Sequence, residues 1–405
     1  MILRRYWLPL ALSAGAIGLS GRVPAIQDAS TNTAPTGVSL DLPAAYVITS
    51  PFSRALDALT LLSNPQSIAT LVTVALIVIV WLGLSRQHKT WKWWTARVVL
   101  LVVIIAVIEG AVAFLPRPMA RLDAADPNVA VIDFHSHTGA SHDVRKSFGV
   151  GDNRSWHAGG GFDAAWITDH VKFDAAVAAR SGNPQRAGDG VSLLTGVEGR
   201  YHKIMSTIML GLDERDTALL NKRGNLLPGS PARGRTPYTI VALPNRNLDS
   251  VTRASLDSIP HFAAIELIDA APRGLGQFDR EETRIRDIAQ ELGLTLVAAS
   301  NNHGFGRAVA AWNLIGIPGW QNLTPEQLAG SIENLLPRIA PRIVMRTRPR
   351  THDASLPLTL PVIAYQTLGS LTFAERVSWL AWIWGVALLV SLRRSTGTTE
   401  TTETA

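Results

Sequence analysis

The chain has 405 residues and a net charge of +6; 17% of the residues are charged, 47% are hydrophobic, and the mean hydropathy is +0.15. This composition excludes a disordered protein or a nucleic-acid-binding tail, and it indicates that part of the chain lies in lipid. Because there is no cysteine, thiol catalysis, cysteine-based zinc sites and disulfides are excluded, and a metal would need His and carboxylate ligands.

Four apolar segments predict contacts with a membrane. The N-terminus begins MILRR and continues with apolar residues, which is typical of a signal peptide or a signal-anchor helix. Residues 67–84 contain no charged residue and are long enough to cross a bilayer. Residues 98–115, interrupted only by Glu109, and residues 372–392 are expected to cross it as well.

The basic residues between these segments predict the orientation. Arg and Lys in the loop 85–97, and Arg393 and Arg394 after the last span, place both regions in the cytoplasm of a multi-pass inner-membrane protein. The large domain is therefore expected on the extracytoplasmic, periplasmic side. The predicted organisation is a signal peptide or anchor (1–25), an extracytoplasmic loop (26–66), spans at 67–84, 98–115 and 372–392, a soluble domain (125–350) and a disordered cytoplasmic tail (393–405).

The soluble domain has the pattern of an α/β barrel. Short β-type runs alternate with helical stretches such as 279–292, which predicts a mainly parallel, TIM-like sheet. The predicted strands are VAVIDF (129–134), FDAAWIT (162–168), VSLLTGV (191–197), TIVAL (239–243), AAIELI (263–268) and LTLVAA (294–299).

Potential metal ligands follow these strands one after another. Since the C-terminal ends of barrel strands meet at one mouth, the side chains can form a single site. An isolated H-x-H would instead be interpreted as a solvated surface pair. His157 precedes a strand, which favours a surface or core role. The candidates are Asp133, His135, His137 and His142 at the first strand, Asp169 and His170 at the second, Glu198 and His202 at the third, and Asn301 and His303 at the last.

The segments DFHSHTGASHD, GFDAAWITDH, LLTGVEGRYH and AASNNHG together resemble the four metal motifs of the PHP (polymerase and histidinol phosphatase) family. The resemblance covers residues 125–310. It implies a distorted (β/α)7 TIM-like barrel, two or three divalent ions (Zn, Mn or Fe) and hydrolysis of phosphate esters. It also implies that Glu198 bridges two ions and that Asp133 and Asp169 support the ligands from behind. The implied ligands are His135, His137, His142, His170, Glu198 and His303, of which His135, His137, Glu198 and His303 are the catalytic set.

Two positions depart from the family pattern. Leu243 stands where the family often has a histidine, and Asn301, a candidate oxygen ligand, replaces an aspartate. His202 is a loose match to a further family histidine. Because of these departures, one alternative is a degenerate PHP domain that binds a ligand or belongs to an envelope complex. The other alternative is an amidohydrolase-like C–O or C–N hydrolase, which a strand-end aspartate would favour and Asn301 argues against.

The resemblance predicts catalysis without a side-chain nucleophile. Two ions would lower the pKa of a shared water and present it to phosphorus as hydroxide. Arginines near the strand ends would bind the phosphate, and the candidates are Arg145, Arg246 and Arg307. The expected partners are a phosphorylated substrate and the lipid bilayer, and no nucleic acid is expected. Only the proximity of the domain to the membrane favours an envelope- or lipid-linked substrate. The arginines between 338 and 350 are expected to form a solvated basic face.

Overall fold

The computed structural model describes residues 2–84, 90–201, 205–212, 238–243, 248–257, 262–350 and 356–396. In these ranges the helices are α1 (Ile2–Gly18), α2 (Ala44–Ile48), α3 (Ser50–Thr60), α4 (Asn64–Leu84), α5 (Trp91–Phe114), α6 (Val150–Gly160), α7 (Asp174–Ser181), α8 (Arg253–Asp257), α9 (Pro272–Leu292), α10 (Pro325–Leu335), α11 (Thr359–Gly369) and α12 (Phe373–Thr396). The strands are β1 (Ile26–Asp28), β2 (Val38–Asp41), β3 (Arg121–Ala124), β4 (Val129–Ser136), β5 (Ala164–Ile167), β6 (Ser192–Tyr201), β7 (Met205–Leu210), β8 (Tyr238–Val241), β9 (Phe262–Asp269), β10 (Thr295–Ala299), β11 (Ala311–Gly316) and β12 (Arg342–Arg346).

The fold is mixed α/β, with one large sheet in the order β1-β12-β11-β4-β5-β6-β7-β8-β9-β10. All six predicted strands are present, as β4, β5, β6, β8, β9 and β10. The pairs β4–β5, β5–β6, β8–β9 and β9–β10 are parallel. The expectation of a mainly parallel sheet was wrong, because β7 returns antiparallel between β6 and β8 and β11 pairs antiparallel with β4. Only three residues separate β6 from β7, too few for the crossover that a parallel neighbour needs.

The sheet curls until the end of β10 meets β4. A backbone bridge joins Ser136 to Asn302, and the N–H of Asn301 donates to the carbonyl of His135 at 2.8 Å. Asn313 of β11 fills the seam above this contact, since its side-chain amide hydrogen-bonds to backbone groups of both β4 and β10. The C-terminal ends of the parallel strands therefore face one mouth.

Apolar side chains fill the interior of the curl and leave only one end open for chemistry. Phe134 of β4 and Trp166 of β5 are buried inside it and stack with ring centroids 5.4 Å apart. Leu328 and Ile332 of α10 belong to the same apolar cluster. On the outer face, Val131 packs in a separate cluster, as expected for strands covered on both sides. The polar groups of the site lie at the other end of the strands.

Three helices are long and apolar enough to cross a membrane: α4, α5 and the Phe373–Arg393 part of α12. Residues 67–84, 98–115 and 372–392, which the sequence predicts as spans, fall within or overlap these helices. Few of their residues are buried inside the structure, and none of those in the apolar window of α5. Many of their leucine, isoleucine and valine side chains are exposed, such as Leu76 of α4, Val102 of α5 and Leu389 of α12.

Three of the five arginines between 338 and 350 are buried and depart from the expected solvated face, whereas Arg338 is exposed. Arg346 pairs with Asp57 at 3.5 Å, Arg348 hydrogen-bonds to Asp279, and Arg350 pairs with Glu282, in each case with a largely buried guanidinium. Acidic residues from α3 and α9 meet the segment after β12 at this place. These acidic partners were not predicted because they lie 68 or more positions away along the chain.

We expect Asp279→Ala to destabilise the protein strongly. The substitution leaves the buried guanidinium groups of Arg348 and Arg350 without their shared carboxylate, and breaking a buried pair costs about 3–5 kcal/mol. Thermal unfolding of the full chain in detergent should show a midpoint lower by about 5 °C or more. The matched control is Asp249→Ala, which removes an exposed partner of Arg284 and should change the midpoint little. Equal shifts in both variants would contradict the prediction.

Candidate metal centre

The predicted ligands from four strand ends meet at one point. Four of them are neighbours because β4, β5 and β6 run parallel and side by side: His135 of β4, His137 directly after β4, His170 after β5 and Glu198 of β6. A backbone bridge pairs His170 with Glu198. His303 joins them from the segment after β10, with its ring centroid 4.8 Å from that of His137.

Glu198 lies at the centre of this group. Its Oε2 is 3.4 Å from His135 Nε2, 3.3 Å from His137 Nε2 and 3.2 Å from His170 Nδ1. Burial alone would raise the pKa of Glu198, but hydrogen bonds from His135 and His137 hold that pKa well below its usual value. Ser206 donates a hydrogen bond to Oε1. Glu198 is therefore an ionised carboxylate that faces three nitrogen donors at once.

Three overlapping sets of donor atoms have the size of a metal site, since the atoms of each set lie within 4.8 Å of one another. Because the sets share His137 and His170, ions held by them would be close neighbours. Imidazole and carboxylate donors together suit zinc, iron or manganese. The sets are His135, His137 and Glu198; His137, His170 and His303; and His142, Asp143 and His170.

Two further observations fit cations at this place. His135 Nε2 and His137 Nε2 lie only 2.8 Å apart, beside the carboxylate of Glu198. The Oδ1 of Asn301 is buried and has no hydrogen-bond partner in the described part of the chain. A buried acceptor left unsatisfied costs about 1–3 kcal/mol, and a cation would remove that cost. The residues present thus fit divalent ions.

Glu266, a residue that the sequence analysis missed, holds the outer nitrogen of His135. Its Oε1 is 2.7 Å from His135 Nδ1, and its Oε2 accepts the backbone N–H of Leu243 at 2.6 Å. Burial would lower the pKa of His135, but the charges of Glu266 and Glu198 hold that pKa well above its usual value. Such a carboxylate fixes the tautomer and the ring orientation of a ligand histidine. The available signal was a charged residue inside the apolar run AAIELI.

Asp169 supports the loop that carries His137. Thr138 donates to it twice, through its N–H at 2.7 Å and its hydroxyl at 2.6 Å. Ser141 Oγ donates to it at 2.8 Å and lies 3.3 Å from His137 Nδ1. Asp169 itself is 3.9 Å from that nitrogen, so it positions His137 mainly through Ser141.

Asp133 ties β4 to its neighbours instead of facing the mouth. Its carboxylate accepts the backbone N–H of Ser300 at 3.0 Å, and its Oδ2 is 2.9 Å from His157 Nε2. His157 is fully buried, and its Nδ1 lies 2.8 Å from the carbonyl of Asn153. The imidazole that contacts Asp133 is therefore that of His157 in α6. His135 contacts this carboxylate through its backbone N–H, at 3.3 Å, and not through its ring.

Asp143, a second residue that the sequence analysis missed, stands between two predicted ligands. Its Oδ2 is 3.3 Å from His170 Nε2 and 3.4 Å from His303 Nε2. Burial would raise the pKa of Asp143, but the charges of His170 and His303 hold that pKa below its usual value. The adjacent His142 ring lies 4.9 Å from that of His170. Asp143 thus adds a carboxylate to the donor set that it forms with His142 and His170.

Asp269, at the end of β9, lies beside Asn301 and places a carboxyl group next to this neutral position. Asn301 Nδ2 donates to Asp269 Oδ2 at 2.9 Å. Burial, followed by the charge of Glu266, holds the pKa of Asp269 well above its usual value. The predicted strand 263–268 stopped one residue short of it. Asp269 therefore supplies a carboxyl group on the strand next to Asn301, the residue that stands where the PHP motif has an aspartate.

Of the predicted phosphate-binding residues, Arg145 and Arg307 are described. Arg145 donates its backbone N–H to the carbonyl of His303 at 3.1 Å. Burial, followed by the positive charges of Arg117 and Arg145, lowers the pKa of Arg307. Two predicted site residues, His202 and Arg246, lie outside the described residues.

No family model matches the sequence, and no curated protein matches it. The structure is similar to PsfC from Pseudomonas syringae at 16% identity and a TM-score of 0.37, covering 59% of this chain and 98% of PsfC. It is similar to the lesion-specific endonuclease PfuEndoQ from Pyrococcus furiosus at 14% identity and a TM-score of 0.38, covering 53% of this chain and 57% of that one.

A two-domain protein from Bacteroides vulgatus, described as containing a PHP-like metal-dependent phosphoesterase, is similar at 13% identity and a TM-score of 0.32. The match covers 54% of this chain and 65% of that protein. The structural neighbours therefore include a protein of the kind that the four motifs resemble. Likenesses as distant as these assign no activity, which has to be argued from the side chains of the site.

Proposed function

We propose that this chain is a membrane-anchored, metal-dependent phosphoesterase of the PHP type. The observation that carries the proposal is the position of Glu198 Oε2, within 3.4 Å of nitrogen atoms of three histidines. A carboxylate placed in this way can bridge two cations, as two-metal hydrolases require. The curl of β4 to β10 supports a distorted (β/α)7 barrel, and the mixed nitrogen and oxygen donors support zinc, manganese or iron.

The residues of the site would have different roles in hydrolysis. Divalent ions held there would supply a water that is acidic enough to be deprotonated near neutral pH. Glu198 and the histidines would hold the ions, and Glu266 would orient His135. Arg145 and Arg307 would bind the non-bridging phosphate oxygens and neutralise the charge that builds on them. No side-chain nucleophile is needed.

The location is part of the proposal. The helices α4, α5 and α12 have the length and composition of membrane spans. Lys92 and Arg97 at the start of α5 and Arg393 near the end of α12 favour the cytoplasm for those helix ends, by the positive-inside rule. The domain between α5 and α12 would then be periplasmic.

Metal content and turnover of the full chain, purified in detergent, test this proposal. We expect elemental analysis to find two or more ions per chain, together with hydrolysis of a generic phosphomonoester or phosphodiester that a chelator abolishes. His135→Ala should lose that hydrolysis, because the substitution removes a donor that contacts both Glu198 and His137. One ion or none, with no turnover of either ester, would overturn the proposal and favour a degenerate domain that binds a ligand or an envelope partner.

Asp269 favours a second candidate, an amidohydrolase-like enzyme that cleaves C–O or C–N bonds. Such a site uses an aspartate at a strand end, and Asp269 ends β9 beside Asn301. The same preparation should be assayed with simple amides and lactones. Chelator-sensitive turnover of these substrates, without turnover of phosphate esters, would replace the first candidate by the second.

A further inference from the structure

The segment after β10 connects the metal centre directly to the end of an apolar helix. It carries Asn301, His303 and Arg307, and between them the N–H of Gly306 donates to the carbonyl of Ala113 in α5 at 2.9 Å. Gly306 has φ +75°, and a Cβ there would lie 2.5 Å from the Thr60 side chain, so the close approach requires glycine. A candidate ligand is thus three residues from a hydrogen bond to the last turn of a predicted membrane span.

An apolar rim lies at this junction. The ring of Phe305 packs edge-on against that of Phe114, with centroids 5.8 Å apart. Phe114, Leu115 and Phe305 are nevertheless 55%, 47% and 47% exposed. Exposed apolar side chains that are contiguous with a span suit contact with lipid. The exposed rim would therefore lie at the height of the lipid headgroups, beside the mouth.

Two cationic residues, Arg145 and Arg307, belong to the segments around His303, since Arg145 donates its backbone N–H to the His303 carbonyl and Arg307 follows Phe305 in the chain. The Nε atoms of Arg145 and Arg307 are buried and have no hydrogen-bond partner within the described ranges. The Nε of Arg117 is buried without a partner as well, but another nitrogen of its guanidinium pairs with Asp57 at 3.2 Å. A phosphate group would accept hydrogen bonds from these two guanidinium groups of Arg145 and Arg307 while its ester oxygen faced the metal centre.

We propose that the substrate is a phosphate ester carried by a lipid of the outer leaflet, a proposal that rests on the proposed phosphoesterase function. The phosphate would lie between the two arginines and the ligands, and the hydrocarbon chain would run along the rim into the bilayer. In the reaction, water adds to phosphorus, the ester P–O bond breaks, and the leaving alcohol takes a proton. A lipid-borne substrate would reach the site by diffusion within the membrane.

The test compares one headgroup on two carriers. The full chain, reconstituted in phosphatidylcholine vesicles, is given phosphatidic acid or phosphatidylglycerol in the bilayer, or short-chain water-soluble forms of each. We expect kcat/KM for the bilayer form to exceed that for the soluble form, and Phe305→Ser to lower this ratio by about tenfold or more, because an apolar contact is lost. Phe373→Ser, an exposed aromatic at the start of another apolar helix, is the control and should leave the ratio unchanged.

The outcomes separate the two proposals. Chelator-sensitive hydrolysis that is equal for both carriers, or faster for the soluble one, with a ratio that Phe305→Ser does not change, would overturn the lipid substrate and leave the phosphoesterase standing. An equal fall of the ratio in both phenylalanine variants would also overturn it, since membrane contact in general would then be responsible. Absence of hydrolysis from every ester would overturn the phosphoesterase itself and the lipid substrate with it.

Discussion

Glu198→Gln is expected to lower kcat/KM for phosphate ester hydrolysis by at least about 100-fold and to reduce the metal bound per chain. Glutamine keeps the shape of the side chain but loses the negative charge that three histidine nitrogens share. Without that charge, less negative charge would remain beside the histidines to offset the repulsion between two neighbouring cations. Elemental analysis and steady-state kinetics on the same preparation measure both effects.

Glu326→Gln is the matched control, because Glu326 is an exposed glutamate in the first turn of α10. It should keep both the metal content and the activity of the parent. Full activity and full metal content in Glu198→Gln would contradict the central role of Glu198. Loss of activity with an unchanged metal content would instead assign Glu198 to the reaction and not to binding of the ions.

The strands that carry the site could be predicted because their ligands follow apolar runs in the sequence. His135, His137, His170 and His303 each come just after or at the end of such a run, and parallel strands bring their C-terminal ends together. The short hairpin strand β7 was missed because it lies within a few residues of β6 and carries no candidate metal ligand.

The supporting carboxylates could not be predicted in the same way. Glu266 and Asp269 lie within β9 or at its last residue, so their contacts with His135 and Asn301 depend on how far the sheet curls. A one-residue change in the pairing of a strand would turn Glu266 to the opposite face. The apolar sequence around Glu266 therefore does not predict whether this side chain points to the site or away from it.

Glu266→Gln is expected to weaken metal binding by about 10- to 100-fold, the usual cost of losing a carboxylate behind a ligand histidine. The carboxylate now holds His135 Nδ1 at 2.7 Å, so its removal frees the ring to rotate and reduces its basicity. Turnover at low metal concentration should fall in proportion, whereas excess metal should restore most of it. Metal titrations followed by activity and by equilibrium binding measure both parts.

Recovery with excess metal distinguishes a positioning residue from one that only stabilises the fold, because a misfolded site would not regain activity. Asp163→Asn provides the comparison: Asp163 lies just before β5, at the opposite end of the strand from His170, and accepts the N–H of Val131 at 2.8 Å. Burial raises the pKa of Asp163 to about 6, so the neutral asparagine should be tolerated there near neutral pH. An unchanged metal affinity in Asp163→Asn beside a lowered one in Glu266→Gln would locate the effect at His135. Equal losses in both variants would mean that the sheet, and not the orientation of one imidazole, had been disturbed.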